Sequence, residues 1–285
     1  MDPTATRLIN ILLGNAESDG VLEFHFPAPE IKFESDTQFA LGGADFSAQL
    51  DGQPIDNWRP VIAGKNSLLK FKDRLSGSRV YLSVKGGFSI ETWLGSVSTN
   101  LAARLGGFDG RKLQTGDHIF FRSNGVTGST ANYSISPSII PHYSRFPTVR
   151  ITPGAEYELL NGLGQETLLQ ENFSVTARSD HMGFRLEGKS IFLNEGMELV
   201  SSAVNFGTIQ LLPDGQLIVL MADHQTSGGY PRIGHVASVD LPLLGQLGPG
   251  DKIAFHLIPL AEAEDLAVHL ERHLNLLKVG CGTLK

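Results

Sequence analysis

The stretch TIQLLPDGQLIVL, residues 208–220, decides the fold class because it holds two apolar runs separated by a turn signal. The runs are Thr208–Leu211 and Gln216–Leu220, and Asp214-Gly215 lies between them. An Asp-Gly pair readily adopts the positive φ angles that a tight hairpin turn requires. The stretch therefore predicts two antiparallel strands joined by a short turn.

Similar runs recur along the rest of the chain. They are rich in β-branched and aromatic residues, as is typical of strands, and they are Val21–Phe26, Thr37–Leu41, Arg79–Val84, Thr148–Ile151 and Phe173–Thr176. Glycine pairs such as Gly42-Gly43 predict turns between them. The 32 glycines and 14 prolines among 285 residues favour many short elements over long helices. The sequence therefore predicts a mainly β fold.

Two amphipathic segments predict helices at the ends of the chain. Asp2-Pro3 matches a helix start, and apolar residues then recur at helical spacing until Gly14. After Pro259, leucines recur at steps of three and four residues up to Leu277. We expect one short helix at the start of the chain and one closing helix.

A segment rich in Ser, Asn, Gly and Pro divides the chain near its middle. We interpret residues 126–146 as a linker between an N-terminal domain over 1–125 and a C-terminal domain over 147–285, which includes the closing helix. A chain of 285 residues is long enough for one or two hydrophobic cores.

The composition argues against several classes of partner. The formal net charge is −7 and no run of Lys and Arg stands out, so we expect no nucleic acid partner. No apolar run approaches the length of a membrane span, so we expect no membrane partner. The single cysteine, Cys281, cannot form an internal disulfide, which favours a cytoplasmic location.

The stretch after the hairpin concentrates polar groups beside glycines. Asp223, Gln225 and Thr226 precede Gly228-Gly229-Tyr230. Two glycines free the backbone to take positive φ or to approach a ligand closely. The stretch predicts a rigid turn that presents polar groups to a ligand.

Other kinds of site lack their motifs. The histidines are scattered, and His269 and His273, four apart in the closing segment, are better explained by a solvated helix face, so we expect no metal site. No phosphate-loop motif occurs. None of the four methionines is next to a lysine, so we expect no biotin attachment site in this chain.

Three segments together resemble the carboxyltransferase subunit-2 family, which includes allophanate hydrolase subunit 2, the regulator KipA and the C component of 5-oxoprolinase (PxpC). The first segment contains YLSVKGG (81–87), LGSVSTNL (94–101) and GGFDGRKL (106–113). The second is RSDHMGFRLEG (178–188), and the third runs over 221–251. They occur in the family's order and span most of the chain.

The resemblance implies two tandem cyclophilin-like β-barrel domains with short flanking helices. It implies the role of the C component in a heteromeric 5-oxoprolinase, which converts 5-oxoproline to glutamate and in which the complex uses ATP. The implied partners are a subunit-1 protein (KipI-like, the B component of 5-oxoprolinase), the A component of 5-oxoprolinase and a small amide or lactam substrate. The chain is not expected to be active alone.

Two other functions remain open from the same resemblance. One is a biotin-dependent carboxyltransferase domain that acts on urea or a similar amide. The other is a KipA-type non-catalytic regulator that binds a subunit-1 partner.

Lactam opening requires donors around the carbonyl oxygen and a carboxylate for proton transfer. We therefore expect catalytic roles for Arg178, Asp180 and Asp223, with Arg185 as a further forked donor. The expected substrate-binding residues are Arg111, Met182, Gln225, Thr226, Gly228, Gly229 and Tyr230.

Each of these residues also has a structural interpretation. Arg178 and Asp180 can form an ion pair at a strand end, and Gly228-Gly229 can serve a tight turn only. The polar side chains of Gln225 and Thr226 can cap backbone groups.

The chain departs from the family's pattern in two places. Family members begin with a further segment that includes a Gln-Asp-x-Gly-Arg motif and a Ser-Gly-Ala-Met-Asp run. Met1-Asp2 matches the end of that run, so we expect the segment to be missing, through an internal start site or a real loss. His224 stands where relatives usually carry arginine.

Overall fold

The computed structural model describes residues 1–122, 133–194 and 199–283. The chain divides into two compact units. We call Met1–Asp2 with His142–Glu271 the barrel unit, and Pro3–Pro141 with Arg272–Lys285 the two-sheet unit. The division falls inside the segment predicted as a linker, part of which lies outside the described residues. The predicted boundaries at 125 and 147 stay predictions.

The two-sheet unit contains one helix at its start and eight strands in its described residues. The helix is α1 (Pro3–Leu13), and the strands are β1 (Leu22–His25), β2 (Ile31–Lys32), β3 (Thr37–Asp45), β4 (Ala48–Leu50), β5 (Gln53–Pro54), β6 (Val61–Ala63), β7 (Leu68–Phe71) and β8 (Ser76–Val84). They form two four-stranded sheets, with orders β1-β8-β3-β6 and β2-β7-β4-β5. Side chains from both sheets meet in one hydrophobic core.

Helix α1 begins and ends as its sequence predicts. It starts at Pro3, and Gly14 follows its last residue with a φ of 72°, which glycine adopts without strain. Its buried face includes Leu8, Ile9 and Leu12.

The turn predicted at Gly42-Gly43 is wrong, because both glycines lie inside strand β3. A Cβ atom on Gly42 would lie 2.6 Å from Cγ2 of Ile9 and 2.7 Å from Cζ3 of Trp58. This glycine therefore allows a helix and a tryptophan to pack closely on the strand, rather than turning the chain.

The barrel unit contains a closed seven-stranded barrel, so the predicted mainly β class is confirmed. The barrel strands are β9 (Thr148–Pro153), β10 (Phe173–Val175), β11 (Gly183–Glu187), β13 (Thr208–Leu211), β14 (Leu217–Leu220), β16 (Arg232–Val236) and β17 (Lys252–Leu257). Their order is β10-β11-β14-β13-β16-β9-β17. Strands β9 and β17 pair in parallel, and the other neighbours are antiparallel.

Shorter elements complete this unit. They are helices α2 (Gly162–Gln170) and α3 (Leu241–Gly245), the two-stranded sheet of β12 (Ser202–Ala203) with β15 (Ser227–Gly228), and the 3-10 turns Tyr157–Leu159 and Ser238–Asp240. A third 3-10 turn, Pro137–Ile139, belongs to the two-sheet unit.

The predicted hairpin is confirmed as β13 and β14. Gly215 has a φ of 80°, and its N–H donates to the carbonyl of Leu212 at 2.9 Å. The N–H of Leu212 donates to the carbonyl of Gln216 at 2.8 Å. Ile209, Leu217 and Val219 from this hairpin lie in the barrel core.

The closing helix, α4 (Leu260–Thr283), is longer than the short helix expected, at 24 residues. Its predicted apolar stripe is confirmed at Leu274, which is fully buried, and at Leu266 and Leu277, which are half-buried.

None of the helices in the described ranges has both the length and the apolar character that a membrane crossing needs.

Candidate functional site

A cavity of about 460 Å³ lies on the barrel unit, against the wall formed by β11, β14 and β13. Six predicted site residues line it together: Arg178, Asp180, Met182, Arg185, Gln225 and Tyr230. The two sequence segments that carry these residues, 178–185 and 223–230, therefore meet at one cavity of one unit. Their catalytic and binding roles remain a proposal.

The cavity floor is a row of three side chains on neighbouring strands. Arg185 on β11 is paired with Ile218 on β14, and Ile218 is paired with Gln210 on β13. Residues directly opposite each other on antiparallel strands point to the same face of a sheet. Since their neighbours Phe184 and Val219 lie in the barrel core, this row lies on the outer face of the wall.

Backbone hydrogen bonds join the two loops at the rim. The N–H of Met221 donates to the carbonyl of Met182 at 3.0 Å, and the N–H of Asp223 donates to the carbonyl of His181 at 2.8 Å. These bonds extend the pairing of β11 and β14 beyond the strands. The rim is thus held by the sheet itself, which favours a preformed site.

Asp180 shapes its own loop with one carboxylate oxygen. Its Oδ1 accepts the N–H of Met182 at 2.8 Å and the N–H of Gly183 at 3.2 Å. The structural ion pair considered for Arg178 and Asp180 does not form in the described residues, where Asp180 Oδ2 also accepts no hydrogen bond. That oxygen remains available to a ligand in the cavity.

The two arginines of the cavity, Arg178 and Arg185, have no carboxylate partner among the described residues. Both side chains are exposed. Their forked donors have the geometry to bind a carboxylate or a phosphate.

Only part of the stretch 223–230 lines the cavity, although the stretch as a whole was predicted to present polar groups to a ligand. Asp223 does not line the cavity, and its Oδ2 lies 3.8 Å from Nδ1 of His181. Thr226 is exposed, and its carbonyl accepts the N–H of Val204 at 3.2 Å. The Nδ1 atom of His224 lies 2.5 Å from the carbonyl oxygen of Gln225.

The two glycines of this stretch do not have the positive φ that the sequence suggested. Gly228 instead lies in strand β15, paired with Ser202. A Cβ atom on Gly228 would lie 2.6 Å from Nε2 of Gln210, whereas one on Gly229 would have its nearest neighbour at 3.5 Å. Gly228 therefore makes room for the Gln210 amide instead of turning the chain at its own position.

Arg111, predicted to bind substrate, lies in the two-sheet unit. Its guanidinium donates to both oxygens of Asp117, at 2.7 and 2.8 Å, and stacks 4.9 Å from the ring centre of Phe108. The hydrogen bonds from Arg111 and from the N–H of Gln114 lower the pKa of Asp117 to about 2. The pair holds the Arg111 guanidinium within its own loop, and the substrate-binding role of Arg111 stays a prediction.

Sequence reasoning missed two floor residues, Gln210 and Ile218. Both were interpreted only as strand positions. The feature that points to Gln210 is its place in β13, where it is the one amide in a strand whose four residues are all buried. A buried amide in such a strand requires a hydrogen-bond partner, which is a reason to search for a site.

Known proteins resemble this chain over almost its whole length. The family described as "Carboxyltransferase domain, subdomain A and B" matches residues 1–257. The chain is 36% identical to the C component of 5-oxoprolinase from Haemophilus influenzae over 98% of this chain and 88% of that protein. It is 34% identical to the C component of 5-oxoprolinase from Escherichia coli over 92% of this chain and 83% of that protein.

A solved structure shares the fold. The crystal structure of the K. lactis urea amidolyase matches 97% of this chain with a TM-score of 0.89 and 25% identity. This chain corresponds to 18% of that protein's length.

Proposed function

The chain belongs to the family of carboxyltransferase domains with subdomains A and B, and on this premise we propose that it is the C component of a heteromeric, ATP-dependent 5-oxoprolinase. The relatives from Haemophilus influenzae and Escherichia coli, 36% and 34% identical to it, are named as the C subunit of 5-oxoprolinase. In such a complex, it acts with a subunit-1 (KipI-like) protein and the A component of 5-oxoprolinase, and it is inactive alone. The lone Cys281 is consistent with a complex in the cytoplasm.

One observation carries the proposal: Arg178 and Arg185 lie at one cavity without a carboxylate partner in the described parts of the chain. 5-Oxoproline is a five-membered lactam that bears a carboxylate. A carboxylate accepts two parallel hydrogen bonds from a guanidinium group, so either arginine can hold it in a fixed orientation. The apolar side chain of Ile218, between Arg185 and Gln210, gives the ring a surface to contact.

Opening the lactam requires water to bond to the carbonyl carbon, the C–N bond to break and the nitrogen to take up a proton. An amide is a poor electrophile, and in this proposal ATP transfers its γ-phosphoryl group to the carbonyl oxygen and releases ADP. A second water then hydrolyses the resulting acyl phosphate to glutamate and phosphate. Asp180 lines the cavity, and we assign its Oδ2 to proton transfer, because Oδ1 is held by two backbone N–H groups. Asp223, which lies outside the cavity lining, positions the rim through its backbone bond to His181.

The remaining predicted binding residues divide by position. Gln225, Tyr230 and Met182 line the cavity and contact the substrate in this proposal. Thr226, Gly228 and Gly229 support these residues from the backbone and do not themselves contact the substrate.

Reconstitution tests the proposal. The chain is co-expressed with the two partner proteins, and 5-oxoproline-dependent ATP hydrolysis and glutamate formation are measured. We expect both activities to require this chain and kcat/KM for 5-oxoproline to fall about 100-fold in the Arg178→Met variant at unchanged complex assembly. Equal activity with the chain omitted would contradict the proposal.

A second candidate, carboxyl transfer to urea or a similar amide, is favoured by the match to the K. lactis urea amidolyase structure. Urea has no carboxylate, so the two arginines would have no partner on the acceptor. Adding urea, a biotin carboxylase and a biotinylated carrier to the purified chain separates the two functions. Carboxylation of urea without turnover of 5-oxoproline would favour the second candidate.

A further inference from the structure

Gln210 differs from the rest of the cavity lining because it is polar and almost completely buried. Its exposed fraction is 1%, yet it lines the cavity. Its Nε2 donates to the carbonyl of Tyr230 at 3.4 Å, near the upper limit for a hydrogen bond. Its Oε1 accepts no hydrogen bond from the described residues and is not among their fully buried unsatisfied polar atoms. The amide therefore keeps one acceptor and one N–H for a ligand.

The surrounding backbone is shaped to hold this amide. Gly228 leaves space that a Cβ atom would take, since that atom would lie 2.6 Å from Nε2 of Gln210. Gly183 likewise leaves space for Ile218, whose Cδ1 would lie 2.7 Å from an added Cβ. Two neighbouring floor side chains are thus each seated against a glycine, which fixes their positions.

The groups along the floor match the kinds of group that a lactam acid carries. Arg185, Ile218 and Gln210 occupy successive strands, so the two ends of the row are about 10 Å apart at the backbone. The row presents a cation, an apolar surface and an amide. A lactam acid such as 5-oxoproline carries a carboxylate, apolar ring methylenes and a cis amide, and its carboxylate is on the ring carbon bonded to the amide nitrogen.

A cis amide has its N–H and its C=O on the same side, unlike the trans amides of a peptide. The carboxamide of glutamine has an acceptor oxygen and donor N–H groups on one plane. It can therefore form two parallel hydrogen bonds with a lactam, accepting from the lactam N–H and donating to the lactam oxygen. A trans amide cannot make both bonds with one partner.

We propose that Gln210 is the specificity-determining residue that distinguishes a lactam from other small acids by pairing with both its N–H and its C=O. This inference rests on the proposed function and adds the group that recognises the amide to the arginines that hold the carboxylate. The donor to the lactam oxygen also stays in place when charge develops on that oxygen, so it favours activation.

Competition binding to the assembled complex without ATP tests this inference. The ligands are 5-oxoproline, N-methyl-5-oxoproline, which lacks the lactam N–H, and cyclopentanecarboxylate, which keeps a ring and the carboxylate but lacks the amide. For the unmodified protein we expect each loss to weaken binding about 10- to 100-fold. For Gln210→Leu we expect the affinity ratio of 5-oxoproline to N-methyl-5-oxoproline to fall about 10-fold relative to the unmodified protein.

The comparison between ligands separates recognition from folding. Extra bulk on the ligand nitrogen would weaken binding equally in both proteins. Only a lost hydrogen bond therefore changes the ratio of the 5-oxoproline and N-methyl-5-oxoproline affinities between the two proteins. Gln170→Leu makes the same chemical change on the outside of helix α2 and should behave as the unmodified protein. Gln210→Met serves as a second apolar variant if the leucine variant melts early.

Three results would overturn the inference. One is that N-methylation weakens binding to Gln210→Leu as much as to the unmodified protein. Another is that Gln225→Leu, the other amide of the cavity, removes the discrimination instead. In both cases the proposed function survives, whereas failure of 5-oxoproline to bind the unmodified complex would overturn the inference and the proposed function together.

Discussion

The barrel unit has five arginines, and they divide into two groups with opposite surroundings. Three of them form short ion pairs: Arg145 with Asp251 at 2.6 Å, Arg150 with Asp240 at 2.5 Å and Arg232 with Glu156 at 2.7 Å. The other two, Arg178 and Arg185, lie at the cavity and have no carboxylate partner in the described ranges.

The ion-paired arginines serve the stability of the fold, whereas the two cavity arginines are available for function. An ion pair with a buried carboxylate holds the fold, because removing one partner leaves a charge without compensation. A guanidinium beside a cavity without a protein partner gives the fold little, and it keeps its donors for a ligand. The same residue type in the same barrel therefore serves two purposes, and variants in the two groups should behave in opposite ways.

The largest effect is expected at Asp240, whose side chain is 2% exposed. It accepts the N–H of Arg150 at 2.8 Å and two bonds from the Arg150 guanidinium. Replacing it in Asp240→Asn should lower the free energy of unfolding by about 3 kcal/mol. Urea denaturation measures this loss, and a change below about 0.5 kcal/mol would show that the paired group does not hold the fold.

The cavity arginines should show the reverse pattern. Arg178→Met and Arg185→Met should each lower kcat/KM of the reconstituted complex for 5-oxoproline about 100-fold, about 2.7 kcal/mol of transition-state binding. The free energy of unfolding should change by less than about 0.5 kcal/mol, because neither side chain has an ion pair to lose. Steady-state kinetics and urea denaturation of the same preparations check both statements, and a variant that loses stability but keeps its kinetics would contradict the division.

The adjacent glycines Gly228 and Gly229 sharpen the comparison within the cavity. Gly228→Ala places a Cβ 2.6 Å from Nε2 of Gln210 and should weaken 5-oxoproline binding about tenfold by displacing the amide. Gly229→Ala is the matched control, since its nearest neighbour is at an ordinary 3.5 Å. Titration calorimetry on the assembled complex distinguishes them, and equal affinities would contradict the role of this space.

The smallest effect is expected from pH. Hydrogen bonds from Arg232 lower the pKa of Glu156 below its ordinary value of 4.5, although burial opposes the shift. The pair therefore contributes its stability above pH 4.5 and loses it as the pH falls through the lowered pKa. In Glu156→Gln, the loss of stability between about pH 6 and about pH 3 should be smaller by about 1 kcal/mol.

Arg178→Met provides the contrast for this titration. Its stability should follow pH as the unmodified protein does, because Arg178 has no carboxylate partner in the described ranges. The free energy of unfolding is measured by urea denaturation at each pH. If it depended less on pH in Arg178→Met than in the unmodified protein, Arg178 would belong with the ion-paired arginines.

Local patterns predicted the elements of this fold, and tertiary packing explains the failures. The Asp214-Gly215 hairpin and helix α1 follow from turn and capping chemistry, which acts between near neighbours in sequence. The turn prediction at Gly42-Gly43 was wrong because Gly42 packs against Ile9 and Trp58, which are distant in sequence. Patterns of residues that are near in sequence cannot predict that contact.

The candidate site was predicted by motif rather than by geometry. The family's motifs located Arg178, Asp180 and Gln225, which line one cavity. They gave no position for Gln210, because its role depends on strand register across β11, β14 and β13. Register is set by pairing between distant segments, so the floor row becomes visible only in the folded barrel.

A crystal structure of the protein with bound 5-oxoproline tests the central claim most directly. We expect the ligand to lie in the cavity on the barrel unit, with its carboxylate within about 3.2 Å of the guanidinium of Arg178 or Arg185. A ligand seated elsewhere, or one whose lactam end faces the arginines while its carboxylate points to solvent, would contradict it.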